Sequence, residues 1–164
     1  MTSHDQAAES TATRELVVTR TYDAPARLLF EAWSRPEHIR RWFGPEGWPV
    51  THCEMDFRLG GRYRFAMTGP DGKEGTPFGG TYLEIVPNEK IVYDDAFESP
   101  GAERMVMTVT FEETGGRTTL TVHTLFPSVA MKDAHLGMGM REGLGMSLDQ
   151  LGELVAGMQA KDMA

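Results

Sequence analysis

Cysteine is almost missing from these 164 residues: Cys53 stands alone, so no disulfide can form within the chain and no thiolate cage can hold a metal. A reducing compartment, the cytoplasm, is the expected location. Basic residues are also scarce. Lys and Arg number 16 against 24 Asp and Glu, which leaves a formal charge of -8 and a sequence pI near 5.1. Phosphate backbones and anionic lipid surfaces require a basic patch, so neither nucleic acid nor membrane is an expected partner. The pair Arg40-Arg41 beside Trp42 is too small to change that. No apolar run is long enough to span a bilayer. Residues 1–13 are polar, with neither a basic start nor an apolar stretch, and read as a disordered tail without a secretion signal.

Several chemical signatures are missing too. The five histidines, His4, His38, His52, His123 and His135, are scattered without the short spacings of a zinc site. No glycine-rich loop follows a strand to cradle a phosphate, and no serine occupies a nucleophile elbow. Metal: none, cofactor: none and catalytic residue: none are therefore the expectations. A general acid or base would have to come from the ionisable groups in strands, Asp56, Glu84, Asp94, Asp95, His52 or His123. Alternation turns His123 away from the face shared by Leu120, Val122 and Thr124.

What the chain has is a strand-rich middle between helical ends. Its 164 residues suit one domain that buries roughly two thirds of its unfolded surface, enough to hold an internal cavity. Residues 15–22 carry the β-branched run Val17-Val18-Thr19 and read as a first strand ended by Asp23. Asp23-Ala24-Pro25 then opens a short helix, with Asp23 or Ala24 at the cap, Pro25 in the first turn, and Leu28, Leu29, Ala32 and Trp33 at helical spacing. A second short helix, residues 37–43, places Ile39, Trp42 and Phe43 on one face and ends at Gly44-Pro45.

Six strands follow, over residues 48–57, 62–68, 79–86, 91–97, 105–111 and 118–125, with turn-rich breaks such as Gly69-Pro70-Asp71-Gly72 and Gly115-Gly116 between them. Connections this short make antiparallel neighbours. Gly60 and Gly61 are both expected at positive φ, where the chain reverses between the first two of these strands. Residues 131–158 form the one long helical segment, with Leu136, Met140, Leu144, Leu148 or Ser147, Leu151, Val155 and Met158 as its apolar stripe. Gly137, Gly139, Gly143 and Gly145 weaken that helix and leave open a later start, near Met140.

In that order, Tyr22-Asp23-Ala24-Pro25, Trp33, the run from Pro36-Glu37-His38 to Phe43-Gly44-Pro45, Asp56-Phe57-Arg58-Leu59-Gly60-Gly61, Gly80-Thr81-Tyr82-Leu83-Glu84-Ile85 and the run from Gly143 to Leu151 resemble the SRPBCC superfamily. Within it they resemble the branch homologous to the activator of the heat-shock protein ninety ATPase. The resemblance covers Arg14 to Met158 and implies an α+β helix-grip, or START-like, fold. In that fold a curved antiparallel sheet of about seven strands wraps a long C-terminal helix, and two short helices follow the first strand. Residues 14–159 would form the single domain and residues 160–164 a short C-terminal tail. One fold of this kind hosts lipid carriers, cyclases and co-chaperones. The separate N-terminal domain of the eukaryotic activator has no counterpart in residues 1–13, so stimulation of a chaperone ATPase is not expected.

By alternation Tyr63, Phe65 and Met67 share a face, as do Met105, Met107, Val109 and Phe111, and Leu120, Val122, Thr124 and Phe126. With Met140, Leu144 and Leu148 from the helix stripe, these residues either pack a solid core or enclose an apolar space. Eleven methionines favour the second, because thioether side chains adapt to irregular shapes. Trp33, Trp42 and Phe43 are expected around its entrance, and Asp56, Arg58 and Glu84 as its polar groups by their place in the motifs. The expected function is binding of a small hydrophobic or aromatic molecule. A cyclase- or hydrolase-like enzyme using the same cavity, and a co-chaperone-type module with a chaperone as partner, are the alternatives.

Overall fold

A computed structural model describes residues 10–163. Seven antiparallel strands form one curved sheet in the order β1-β7-β6-β5-β4-β3-β2. They are β1 (Glu15–Tyr22), β2 (Val50–Met55), β3 (Arg62–Met67), β4 (Phe78–Val86), β5 (Lys90–Phe97), β6 (Met105–Thr114) and β7 (Arg117–Leu125). Helices α1 (Ala26–Ser34) and α2 (Pro36–Trp42) follow β1, and α3 (Val129–Gly137) and α4 (Met140–Met163) follow β7. This is the α+β helix-grip architecture.

Each inward row has its physical origin in period-two alternation. On β6 and β7 every second residue is buried, from Met105 to Phe111 and from Thr118 to Thr124. Helix α4 buries Leu148, Leu151, Leu154 and Val155 against this face. Complete burial of one such side chain is worth roughly 1.5–3 kcal/mol. Polar pins fix where α4 lies: Tyr22 donates its hydroxyl hydrogen to the Leu148 carbonyl at 2.7 Å, and Gln150 Nε2 reaches the carbonyls of Trp42 and Gly44 at 2.9 and 2.7 Å.

Four local features depart from the sequence reading. Pro25 is the residue before α1 and not in its first turn, because its extended backbone leaves Ala26 to begin the helix, whose N–H donates to Glu113 Oε1 at 2.8 Å. The C-terminal helical segment is two helices, and the long one begins at Met140, the later of the two starts left open by the sequence. Gly139, at φ +89°, stops α3 at a residue that carries no Cβ, so the stripe beginning at Leu136 is broken in direction. At the chain ends, Ser10 and Thr11–Arg14 are ordered in a 3-10 turn tied to the sheet by Phe126 N–H donating to the Arg14 carbonyl; residues 1–9 of the expected tail lie outside the described residues. Helix α4 continues to Met163, with Asp162 held by Arg27 at 3.0 Å, so residues 160–163 are helix and not tail.

The fourth concerns the glycine pair. Only Gly60 has positive φ, at +80°, while Gly61 is required for a different reason: a Cβ there would collide with the Asp56 carbonyl oxygen. The loop runs from Asp56 to Gly61, and its last residues dock on β4 through Gly60 N–H to Tyr82 O and Tyr82 N–H to Gly61 O, each 2.9 Å. Gly60→Val is therefore expected to destabilise the domain by about 1 kcal/mol or more through backbone strain alone, since nothing lies within 4 Å of its Cβ position. An unchanged thermal midpoint would refute this.

Candidate functional site

The concave face of the sheet and the helices do not meet everywhere. Between them lies a cavity of about 330 Å³. Its wall is built strand by strand from inward positions: Tyr63, Phe65 and Met67 of β3, Phe78 and Tyr82 of β4, Ile91, Tyr93, Asp95 and Phe97 of β5, and Met105 and Met107 of β6. Helices close the other side with Trp33, Ile39, Phe43, His135, Met140, Leu144 and Ser147, and the α3–α4 joint adds Met138 and Gly139. Aromatic rings contact one another around it, with Tyr63 5.5 Å from Tyr93, Phe43 5.5 Å from Phe65 and Phe78 5.9 Å from Phe97. Such pairs favour defined relative tilts of their rings.

Of the residues expected in this wall, Trp33, Phe43, Tyr63, Phe65, Met67, Met105, Met107, Met140 and Leu144 are brought together. Four others are buried behind it. Trp42 is fully buried on the far side of Trp33, donating Nε1–H to the Ala32 carbonyl at 2.9 Å. Thr124 lies on β7 behind Met107, with Oγ1 3.4 Å from the Met107 sulfur, and Val122 is sealed beside it. Leu148 is one turn too deep along α4 and touches the sheet.

The three expected polar groups lie outside the cavity. Asp56 and Arg58 pair with each other at 2.9 Å in the exposed β2–β3 loop. Glu84 comes after a register shift between Tyr82 and Glu84 on β4, and points outward to Lys90 at 3.0 Å. A one-residue shift exchanges the faces of a strand, which is why the motif position misled.

Besides the tyrosine hydroxyls and Ser147, the polar groups in the wall are Asp95 and His135, both among ordinary-looking stretches of sequence. Asp95 stands at the third inward position of β5, in phase with Ile91, Tyr93 and Phe97. That phase was a readable signal. Its Oδ1 accepts from the Tyr63 hydroxyl at 2.6 Å, and the same hydroxyl is 2.9 Å from the Asp94 carbonyl. Burial pushes the Asp95 carboxyl up to about 7; the Tyr63 hydrogen bond and the Arg104 cation oppose that rise, and the neighbouring Asp94 adds to it. Arg104 is itself held by Asp94 Oδ1 and the Gly79 carbonyl, each at 3.1 Å. Burial, followed by the Asp95 charge, drives the Tyr63 hydroxyl far above its usual range.

His135 offers no such sequence signal, since its place depends on where α3 lands. Its Nδ1 is 3.0 Å from the Met131 carbonyl, which assigns the proton to Nδ1, and its Nε2 is buried without a hydrogen bond among the described residues. Its ring stacks on Phe97, with centroids 6.2 Å apart. Trp33 Nε1 is likewise buried and unpartnered. Among the described residues no helix is long and apolar enough to cross a membrane, and no three metal-binding side chains converge.

The model of the family described as activator of Hsp90 ATPase homolog 1-like protein matches residues 23–156. No curated protein matches the chain. Among solved structures, a protein from Nitrosomonas europaea is similar at 25% identity and a TM-score of 0.82, over 91% of this chain and 98% of that one. A protein from Mycobacterium smegmatis matches at 25% identity and a TM-score of 0.80, over 91% and 95%. One from Chromobacterium violaceum matches at 29% identity and 0.72, over 85% and 96%.

Proposed function

Since the chain belongs to the activator of Hsp90 ATPase homolog 1-like family, we propose that its own role is to enclose a small apolar or aromatic molecule between the sheet and the C-terminal helices. The observation that carries this reading is the cavity of about 330 Å³, lined by aromatic rings and methionines that leave it unfilled. That volume is at the lower end for small-molecule sites and suits a compound of one or two rings. A few inward polar atoms in an apolar wall are the usual means of orienting such a ligand. The reading takes the protein as cytoplasmic, in keeping with its single free thiol on Cys53.

Thermal melting against a panel of one- and two-ring compounds tests it. A ligand at a hundredfold excess over its dissociation constant adds about 2.7 kcal/mol, or several degrees for a chain of this size. Leu144→Trp is expected to occupy the cavity, abolish that shift and leave the protein folded. In a filled core the same change costs roughly 1–3 kcal/mol. If no compound moves the wild type, and Leu144→Trp and Met140→Trp both lower its midpoint, the reading fails.

A further inference from the structure

The cavity wall carries one carboxylate and no fixed cation. Neither lysine nor arginine lines it, and Arg104, the cation nearest in effect to Asp95, is engaged by Asp94 and Gly79. Two acceptors, Asp95 and His135, stand at one end of the wall. The single Tyr63 proton is shared between Asp95 Oδ1 and the Asp94 carbonyl, so Asp95 Oδ2 is left with no hydrogen bond among the described residues. His135 commits its proton to Met131, which leaves Nε2 as a buried lone pair. The two acceptors belong to one neighbourhood. Phe97, two residues beyond Asp95 on the same strand face, stacks on the His135 ring, and Asp95 and His135 also line one adjoining crevice together.

Aromatic rings line the cavity, among them Trp33, Tyr63, Phe65, Phe78, Tyr93 and Phe97. The face of an aromatic ring attracts a cation and repels an anion. A carboxylate or phosphate ligand would meet Asp95, negative ring faces and no counter-charge. A plain hydrocarbon would leave both acceptors unpaired, which wastes the desolvation already imposed on them. The donors of the wall without a hydrogen bond among the described residues, Trp33 Nε1–H and the Tyr82 and Tyr93 hydroxyls, are neutral and cannot neutralise an anion.

We propose that the cavity selects a hydrophobic amine, bound as its ammonium, with an N–H donated to Asp95 Oδ2, His135 Nε2 as second acceptor and the apolar body against the ring faces. The inference rests on the enclosure reading and specifies the charge class of the occupant. The Asp95 carboxylate is only partly exposed, so the fold has already met part of the desolvation cost of a buried ion pair.

Calorimetric titration of the full chain at a pH of about 8, where Asp95 is ionised, with phenylbutylamine, pentylbenzene and phenylpentanoate tests the proposal. The three differ at one terminus only. The amine is expected to bind at least about tenfold tighter than the hydrocarbon, with the carboxylate weakest. In Asp95→Asn the amine-to-hydrocarbon ratio is expected to fall to about one. A carboxylate that binds as well as the amine, or a ratio that survives in Asp95→Asn, overturns the charge class. The ranking is read on the wild type, so it decides the matter even if the variant does not fold. Equal affinities for all three would overturn the amine proposal and leave enclosure standing; failure of all three, pentylbenzene included, would overturn both.

Discussion

Alanine at Gly80 is expected to destabilise the protein by about 3 kcal/mol, the upper end of what overpacking costs. A Cβ on Gly80 would overlap both the backbone carbonyl and the carboxylate of Asp94 on the adjacent strand. Neither can retreat cheaply. The Asp94 carboxylate accepts the Thr81 N–H at 2.9 Å and the Arg104 guanidinium at 3.1 Å, and the Asp94 carbonyl lies against the Tyr63 hydroxyl. Separation of β4 from β5 would break these bonds and turn the next residue, Asp95, out of its inward position. Ligand binding should therefore weaken along with stability. Gly157→Ala is the control, because that glycine lies in α4 with nothing within 4 Å of its Cβ position, and alanine there should gain up to about 1 kcal/mol in helix propensity. Denaturant midpoints that shift equally in the two variants would show that the close approach of β4 and β5 is not essential.

Asparagine at position 95 is expected to stabilise the protein above neutral pH and to do little in acid. The sign follows from the raised carboxyl. In the unfolded chain Asp95 loses its proton near 3.8, in the fold at about 7, so the folded state holds the proton more tightly between those values. The stability that this group contributes is complete below about pH 4 and is lost as the pH rises toward 7. At roughly 1.4 kcal/mol per pH unit the loss has a ceiling of about 4 kcal/mol, which the partial exposure of the carboxylate reduces. An amide keeps the oxygen that accepts from Tyr63 and has no proton to lose. The difference in unfolding free energy between Asp95→Asn and wild type should thus grow from pH 4 to pH 8 and then level off. Glu98, lowered by its hydrogen bond to Arg64, acts in the opposite direction and cancels in the difference. Parallel curves would mean that the Asp95 carboxyl is not held in its neutral form by the fold.

The sequence announced its architecture where the signals were local. Strand alternation, the turn glycines and the proline-marked short helices translate into elements without help from distant residues, and β1 was read with its boundaries intact at Glu15–Tyr22. The apolar wall of the cavity followed from the same alternation on β3 and β6. What escaped depended on long-range placement. The register shift on β4 reversed Glu84, the turn at Gly139 split the C-terminal segment, and packing of α3 set His135 beside Phe97. Depth escaped too: Leu148 and Leu144 occupy the same helical stripe, yet only the second borders the cavity, because the first is fully buried where Tyr22 of β1 pins the helix. Asp95 is the instructive case: it stands among the ionisable strand groups of the sequence reading, and its phase with Tyr93 and Phe97 singles it out as the one that lines the cavity.

The pairing of β1 with β7 bears on how this chain emerges from a ribosome. Tyr22 faces Thr118 and Glu15 faces Leu125, so the partners are about a hundred residues apart in order of synthesis. At roughly 5–20 residues per second, β1 waits some 5–20 s with both edges unpaired. Strands β2 to β6 meet sequential neighbours and can assemble as hairpins in that interval. The first strand made is therefore the last to be seated, and Val17, which is 47% exposed even in the finished sheet, lies in the segment that a holding chaperone would find open longest.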